Sequence, residues 1–366
     1  MVGVRVVDVS RVAIQLQPGP YPAPGDTLAY ILSDARAVID CSASAISEGI
    51  TFIEAESDLD IHFLAVQVTR FLNGGMALGF SLHHAMADGK GKLQFIEALA
   101  SICRSDSVPS GFAPVHDRAL IRHPRGYATA KVFTRKLLTE VMPKLNQTTA
   151  PQRSLQEWVQ LTKRTFLVDK TTIKSWKEQA IHVSPSTFVS ISARVLVTVV
   201  NVRGLANDDG PFIGTSPADC RSRLNLPIND EYIGNCVAPC IARMTASDIA
   251  EPGGFVRACV ALKEVSGNAD DSVAIIKATK EPLDGCEGWL DELLKLPARM
   301  VNFAGSPQFK VYETDFGWGK PGRVELATMT RDGRVVIVSG KEEGTVQVSV
   351  APNAQHMDAF AKMFLS

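Results

Sequence analysis

The chain has 366 residues, is 45% hydrophobic, and carries 38 Lys and Arg against 39 Asp and Glu, for a formal net charge of −1. That is enough apolar material for a large core, divided over two domains. The even charge balance, with no basic block, argues against nucleic acid as a partner, and no apolar run is long enough to cross a bilayer.

Met1–Val9 alternates like a strand and lacks the long apolar stretch and cleavage site of a signal peptide. The seven cysteines (Cys41, Cys103, Cys220, Cys236, Cys240, Cys259, Cys286) are odd in number and lie among apolar residues. They read as free thiols of a reducing cytoplasm. Cys236 and Cys240 are close, but no nearby His or second Cys pair completes a zinc site, so no metal is expected. Strands are expected near 4–9, 38–41 and 51–55, then at 63–72 and 76–82, the last two joined by an Asn73-Gly74-Gly75 turn. The Pro/Gly cluster after Gln17 and the acidic junction at 57–62 interrupt this first part abruptly.

A helix is expected over 91–104. From 106 to 166 periodicity weakens and Pro, Arg, Lys and Gln increase. This stretch reads as a crossover: a domain over 1–125, a linker over 126–166 and a domain over 167–366. Beyond it, three- and four-residue apolar spacing predicts helices at 170–181, 186–203, 254–267 and 354–364. Strands are expected at 211–216, 310–314, 323–329, 334–338 and 345–350.

Three stretches carry candidate chemistry. The first is His83-His84-Ala85-Met86-Ala87-Asp88-Gly89, directly after a strand. A neutral imidazole accepts a proton near pH 7, as few side chains do. Neighbours on an extended chain face opposite ways, so His83 and His84 cannot share that role. A lone His is more often a satisfied structural residue, and here Asp88-Gly89 and the downstream signals weigh against that. The second is Asp315-Phe316-Gly317-Trp318-Gly319-Lys320-Pro321, whose glycines call for a tight loop. The third is Asp219-Cys220-Arg221-Ser222-Arg223 followed by Tyr232-Ile233-Gly234-Asn235-Cys236, in which an Arg can serve a buried carboxylate. Gly89-Lys90-Gly91-Lys92 lacks the spacing of a phosphate loop.

In this order, these motifs resemble the plant BAHD acyltransferases. The match runs over the whole chain and is most specific at Asp315–Gly319. Tyr232–Cys236 is similar to the signature of the anthocyanin and phenolic-glucoside malonyltransferase branch, with Ile233 in place of Phe. The chain is shorter than is usual in that family, which implies segments missing near 17–21 and 59–62.

The resemblance implies an α/β fold of two similar-sized mixed-sheet domains, like chloramphenicol acetyltransferase, with the active site in a channel at their interface. It implies an acyl-CoA-dependent O-acyltransferase that moves a malonyl group from malonyl-CoA to a sugar hydroxyl of a phenolic or flavonoid glycoside. His84 would be the general base, with no acyl-enzyme, and the Trp318 indole would stabilise the oxyanion. Asp88 would pair with Arg221, or with Arg223 as second choice. Gly89, Asp315 and Gly317 would shape the site. Arg118 and Arg122 would meet the malonyl carboxylate, with Arg223, Tyr232 and Asn235 as further substrate residues. The protein would be a cytoplasmic monomer using acyl-CoA as co-substrate, with no tightly bound cofactor. A hydroxycinnamoyl-CoA-dependent enzyme of the same family and an inactive ligand-binding paralogue are the alternatives. The histidine motif also resembles peptide-synthetase condensation domains, but Asp315–Gly319 favours the CoA-dependent family.

Overall fold

The computed structural model describes residues 28–33, 64–70, 76–82, 84, 86–107, 113–120, 163–223, 227–267, 299–326 and 332–366. The strands expected at 4–9, 38–41 and 51–55, the junctions at 17–21 and 59–62, and residues His83 and Arg122 lie outside them. The chain divides into two compact units, one of Met1–Phe112 with Lys310–Thr328, the other of Ala113–Phe309 with Met329–Ser366. These cuts differ from the boundaries expected at 125 and 167: the segment bearing Asp315–Gly319 groups with the N-terminal part of the chain.

The first unit is built on a four-stranded mixed sheet of β1 (Leu28–Ser33), β2 (Leu64–Arg70), β3 (Met76–Leu82) and β8 (Arg323–Leu326), in the order β2-β3-β1-β8. β2 and β3 pair antiparallel from Leu64↔Leu82 to Arg70↔Met76, as the Asn-Gly-Gly turn predicts. β1 is parallel to both β3 and β8. Apolar β3 residues Ala77, Leu78, Phe80 and Leu82 are buried. Helix α1 (Gly89–Ser105) follows and buries Gly91, Ile96, Ala100 and Ser101. Asp106 ends it in a left-handed conformation (φ 54°), its N–H donating to the Ile102 carbonyl at 2.8 Å.

The second unit holds a six-stranded mixed sheet in the order β4-β10-β9-β7-β5-β6. Its strands are β4 (Arg164–Val168), β5 (Pro211–Asp219), β6 (Val237–Thr245), β7 (Met300–Ser306), β9 (Arg334–Ser339) and β10 (Val346–Val350). Four helices accompany them besides the short α4 (Ala246–Ala250): α2 (Lys170–Gln179), α3 (Thr187–Val202), α5 (Gly254–Gly267) and α6 (Ala354–Phe364). α3 begins where Ser186 accepts a hydrogen bond from Val189 N, and it is apolar nearly all round. Such a helix belongs inside, and Ile191, Val195, Leu196 and Val200 are fully buried. Phe166, Trp176, Phe360 and Phe364 form an aromatic knot with ring centroids 5.3–5.7 Å apart.

Three departures from the sequence reading stand out here. β4 starts inside the stretch read as linker. β1, β6 and β7 went unread; β6 contains Pro239 and lies at the sheet edge, where a missing N–H is tolerated. Residues 310–314, expected to be a strand, form a turn, with Glu313 N donating to the Lys310 carbonyl at 2.9 Å. Among the described residues no helix is long and apolar enough to cross a membrane.

Candidate active site

The first unit presents its histidine motif at the end of β3. Leu82 is buried, His84 is exposed, and Ala87 and Asp88 are buried again. The chain therefore lifts His84 out of the core between two anchored points. Asp88 is 1% exposed and caps α1: its Oδ1 accepts from Gly91 N at 3.0 Å and its carbonyl from Lys92 N at 2.9 Å. A carboxylate held at a helix N-terminus satisfies orphan backbone donors. This is scaffold chemistry, and Asp88 anchors the turn that carries His84. Gly89 opens the helix. Asp88→Ala should destabilise the protein by about 1 kcal/mol through the lost cap, while Asp88→Ser retains most of it. Thermal denaturation of the two variants checks this.

The other end of α1 holds the glycine loop. Arg104, in the last turn, donates Nη1 to the Asp315 carbonyl at 2.8 Å. The Asp315 carboxylate folds the loop on itself: Oδ1 accepts from Gly317 N at 2.7 Å and from Gly319 N at 3.0 Å. Both glycines have positive φ (98° and 96°), which a side chain would strain. Lys320 pairs with Glu313 across the base of the loop. Phe316 is buried, stacked on Phe80 of β3 at 5.9 Å on one side and on Trp318 at 6.1 Å on the other.

The oxyanion role expected of Trp318 depends on where its loop is held. The loop sits beside Arg104, whereas His84 precedes Asp88 at the opposite end of α1. Sixteen residues of helix separate Asp88 from Arg104, about 24 Å at the usual rise. Trp318 is 61% exposed and stacked on Phe316. An oxyanion donor must stand within hydrogen-bonding distance of the reacting atom. Trp318, Asp315 and Gly317 belong to a loop held at the Arg104 end of α1 and stacked through Phe316 on β3.

In the second unit, Arg221 is fully buried. Its Nε and Nη2 donate to the Tyr232 carbonyl at 3.2 and 2.9 Å, Nη2 to the Gly234 carbonyl at 3.0 Å, and Nη1 to Asp219 Oδ1 at 2.9 Å. Tyr232 is buried with Cys220, Ile228 and Cys236 in a small apolar cluster. The crossover is stitched to this segment: Val115 N donates to the Glu231 carbonyl at 3.0 Å and Ile233 N to the Val115 carbonyl at 2.9 Å. Arg223 donates Nη1 to the Ser266 carbonyl at 2.9 Å, near the end of α5, which orients it within its own unit. Arg118 is exposed in a 3-10 turn, Arg118–Leu120, started by Asp117. Asn235 is half-buried. Arg104 and Val115 escaped the sequence reading. A basic residue in the last helical turn is a readable signal for Arg104, and no local pattern marks Val115.

Burial pushes the Cys220 and Cys240 thiols up and that of Cys259 to about 12. A neutral thiol is a poor nucleophile, so these three are packing residues. Among the described residues no group of three or more His, Cys, Asp and Glu side chains is placed to hold a metal.

A model described as the Transferase family matches residues 30–365. Phenolic glucoside malonyltransferase 2 of Arabidopsis thaliana is 30% identical over 320 residues, covering 84% of this chain and 68% of the relative. The Arabidopsis thaliana malonyl-CoA:anthocyanidin 5-O-glucoside-6''-O-malonyltransferase is 31% identical over 327 residues, 84% of this chain and 69% of the relative. The chain thus spans about two-thirds of the length of such relatives. Among solved structures, F. graminearum TRI101 complexed with ethyl coenzyme A superposes with a TM-score of 0.59 at 13% identity, over 93% of this chain and 83% of that one. The fold is therefore the acyltransferase fold expected from the motifs. With nearly its whole length inside the family match, the chain belongs to the Transferase family of BAHD acyltransferases.

Proposed function

We propose that the protein moves a malonyl group from malonyl-CoA to a sugar hydroxyl of a phenolic or flavonoid glycoside, with His84 as general base. The observation that carries this reading is the placement of His84: exposed, just past the end of a buried strand and four residues before the buried Asp88 that caps α1. An imidazole so presented sits on an anchored turn from which it can be aimed at substrate. The donor and acceptor classes are supported by relatives whose names specify malonyl transfer to glucosides.

In this mechanism His84 takes the proton of the acceptor hydroxyl as its oxygen attacks the thioester carbonyl. The tetrahedral intermediate collapses, the carbon–sulfur bond breaks, and the departing thiolate recovers the proton from the imidazolium. Ester and free CoA thiol leave, and no acyl-enzyme forms. The raised thiols of Cys220, Cys240 and Cys259 are consistent with direct transfer. Arg118, exposed beside the Val115–Tyr232 bridge, is the described candidate for the malonyl carboxylate, a group that arginine matches well. The protein works in this reading as a cytoplasmic monomer, with acyl-CoA as co-substrate and no tightly bound cofactor.

A donor panel tests the assignment. Thiol release is followed with malonyl-CoA, acetyl-CoA and a hydroxycinnamoyl-CoA, each with a flavonoid glucoside. Malonyl-CoA should give the highest kcat/KM. Preference for the aromatic donor overturns the malonyl assignment, and absence of release from every donor overturns the enzyme reading.

A further inference from the structure

β5 and β6 run antiparallel, with Ala218 opposite Ala238 and Asp219 opposite Val237. One step further in the same register Cys220 stands directly opposite Cys236, and Cys220 N donates to the Cys236 carbonyl at 2.9 Å. Side chains alternate along a strand, so Ala218 and Cys220 share a face with Ala238 and Cys236. Both cysteines are free thiols, buried at 4% and 5% exposure in one small cluster with Ile228 and Tyr232. The Cys220 thiol rests on the Ala218 carbonyl at 3.5 Å, a weak contact that is given up at little cost. Cys240 projects from the same face but stands opposite Ser216. Hydrogen-bonded neighbours across an antiparallel pair have Cα atoms about 5.5 Å apart, inside the span of a disulfide. Their Cβ atoms, about 4.5–5.5 Å apart, are slightly too wide for one. Cys220 and Cys236 lie just beyond the ends of β5 and β6, where the backbone has room to draw together.

We propose that Cys220 and Cys236 are a reversible dithiol–disulfide couple, oxidised by a small-molecule disulfide such as oxidised glutathione. One thiolate attacks the glutathione disulfide and releases one reduced glutathione. The second thiol displaces the other glutathione from the mixed disulfide. Two cysteine thiols and one oxidised glutathione thus give the intrachain disulfide and two reduced glutathiones, and the two thiol protons leave on those products. Burial raises the Cys220 thiol, and the nearby Arg223 charge pulls it down in part. The resting thiol is therefore no nucleophile for acyl transfer, and exchange is slow; neither fact sets the equilibrium. The strain of the wide Cβ separation makes the bond easy to reduce, so the couple is open while reduced glutathione prevails and closes as the oxidised form accumulates. The closed form ties residues 220–236 into a loop around Arg221, Tyr232 and Gly234. This couple is independent of the malonyl-transfer reading.

The full chain is equilibrated with glutathione mixtures running from wholly reduced to wholly oxidised. A parallel series in sub-denaturing urea lets the oxidant reach the buried pair. Acid quenching, alkylation of the remaining thiols and peptide mass spectrometry then locate the bonds. The expected result is an intrachain Cys220–Cys236 link that grows with the oxidised share and disappears with dithiothreitol. Loop closure should raise the melting temperature of the linked protein by about 5 °C. Cys236→Ala, treated in the same way, should show neither the link nor the rise. Recovery of Cys220 and Cys236 as alkylated thiols from wholly oxidised glutathione, with and without urea, overturns the proposal. So does a bond from either one to a different cysteine in the absence of urea, or a glutathione adduct on either that is never displaced by the other. The link is read by mass in the wild type, so an unstable Cys236→Ala variant leaves the result standing, and no acyl donor enters the measurement.

Discussion

His84→Ala should lower the rate of malonyl transfer by about two to four orders of magnitude, the usual contribution of a positioned general base. The melting temperature should stay close to that of the wild type. His84 is exposed, whereas the residues that hold its turn, Leu82, Ala87 and Asp88, are buried. Removing the imidazole therefore takes away chemistry without opening a cavity. Stopped-time thiol assays with malonyl-CoA and a flavonoid glucoside, paired with thermal denaturation, read both effects. Trp318→Phe is the informative companion. It keeps the stack on Phe316 and deletes the indole N–H, so a kcat loss of about a hundredfold or more is expected if the indole is the oxyanion donor, and one within about twofold if Trp318 serves only its loop. Near-normal turnover in His84→Ala would remove the base assignment. A kcat in Trp318→Phe close to wild type would remove the oxyanion role expected of the indole.

The parts legible in the sequence were those with a local cause. Strict alternation and an Asn-Gly-Gly turn make β2 and β3 readable, because strand period and turn chemistry agree. The start of α1 follows from Asp88 and that of α3 from Ser186, each a side-chain oxygen placed before a helical run. β7 carries Asn302 and Gly305 among its apolar residues, and becomes a strand because β5 and β9 flank it in parallel. No window of a single strand contains that information. The site divides in the same way. The glycines of Asp315–Gly319 announced a tight loop, and both adopt positive φ around the Asp315 carboxylate. Where that loop docks was not legible: its partners Arg104 and Phe80 lie more than two hundred residues away. A motif order shared with a family therefore pointed to the chemistry, while the docking of the Trp318 loop depended on distant partners. Tyr232 shows the same limit. Its burial against Gly234 and Arg221 is a tertiary fact, although the glycine two residues on was the visible trace of it.

Arg221→Ala should be the most damaging single change to stability in the second unit, by about 3–5 kcal/mol, the typical cost of removing one side of a buried charged network. The size follows from what is left behind. The guanidinium is fully buried and serves the carbonyls of Tyr232 and Gly234 together with the Asp219 carboxylate. Truncation strands the two carbonyls where water must enter to reach them, at about 1–3 kcal/mol for each unsatisfied group. Asp219 contributes less, because its side chain is 44% exposed and regains solvent. The ring of Tyr232 also loses the cation beside it. At the sensitivity of a unit this size the melting temperature should fall by roughly 10 °C. Arg221→Lys should recover little of it: an ammonium is a point donor on a flexible stem and cannot span three acceptors in the plane of a fork. Differential scanning calorimetry of the two variants decides the matter. A lysine variant as stable as wild type would mean that charge alone is needed there. A large loss in both would mean that the planar geometry of Arg221 holds the Tyr232–Gly234 turn in shape.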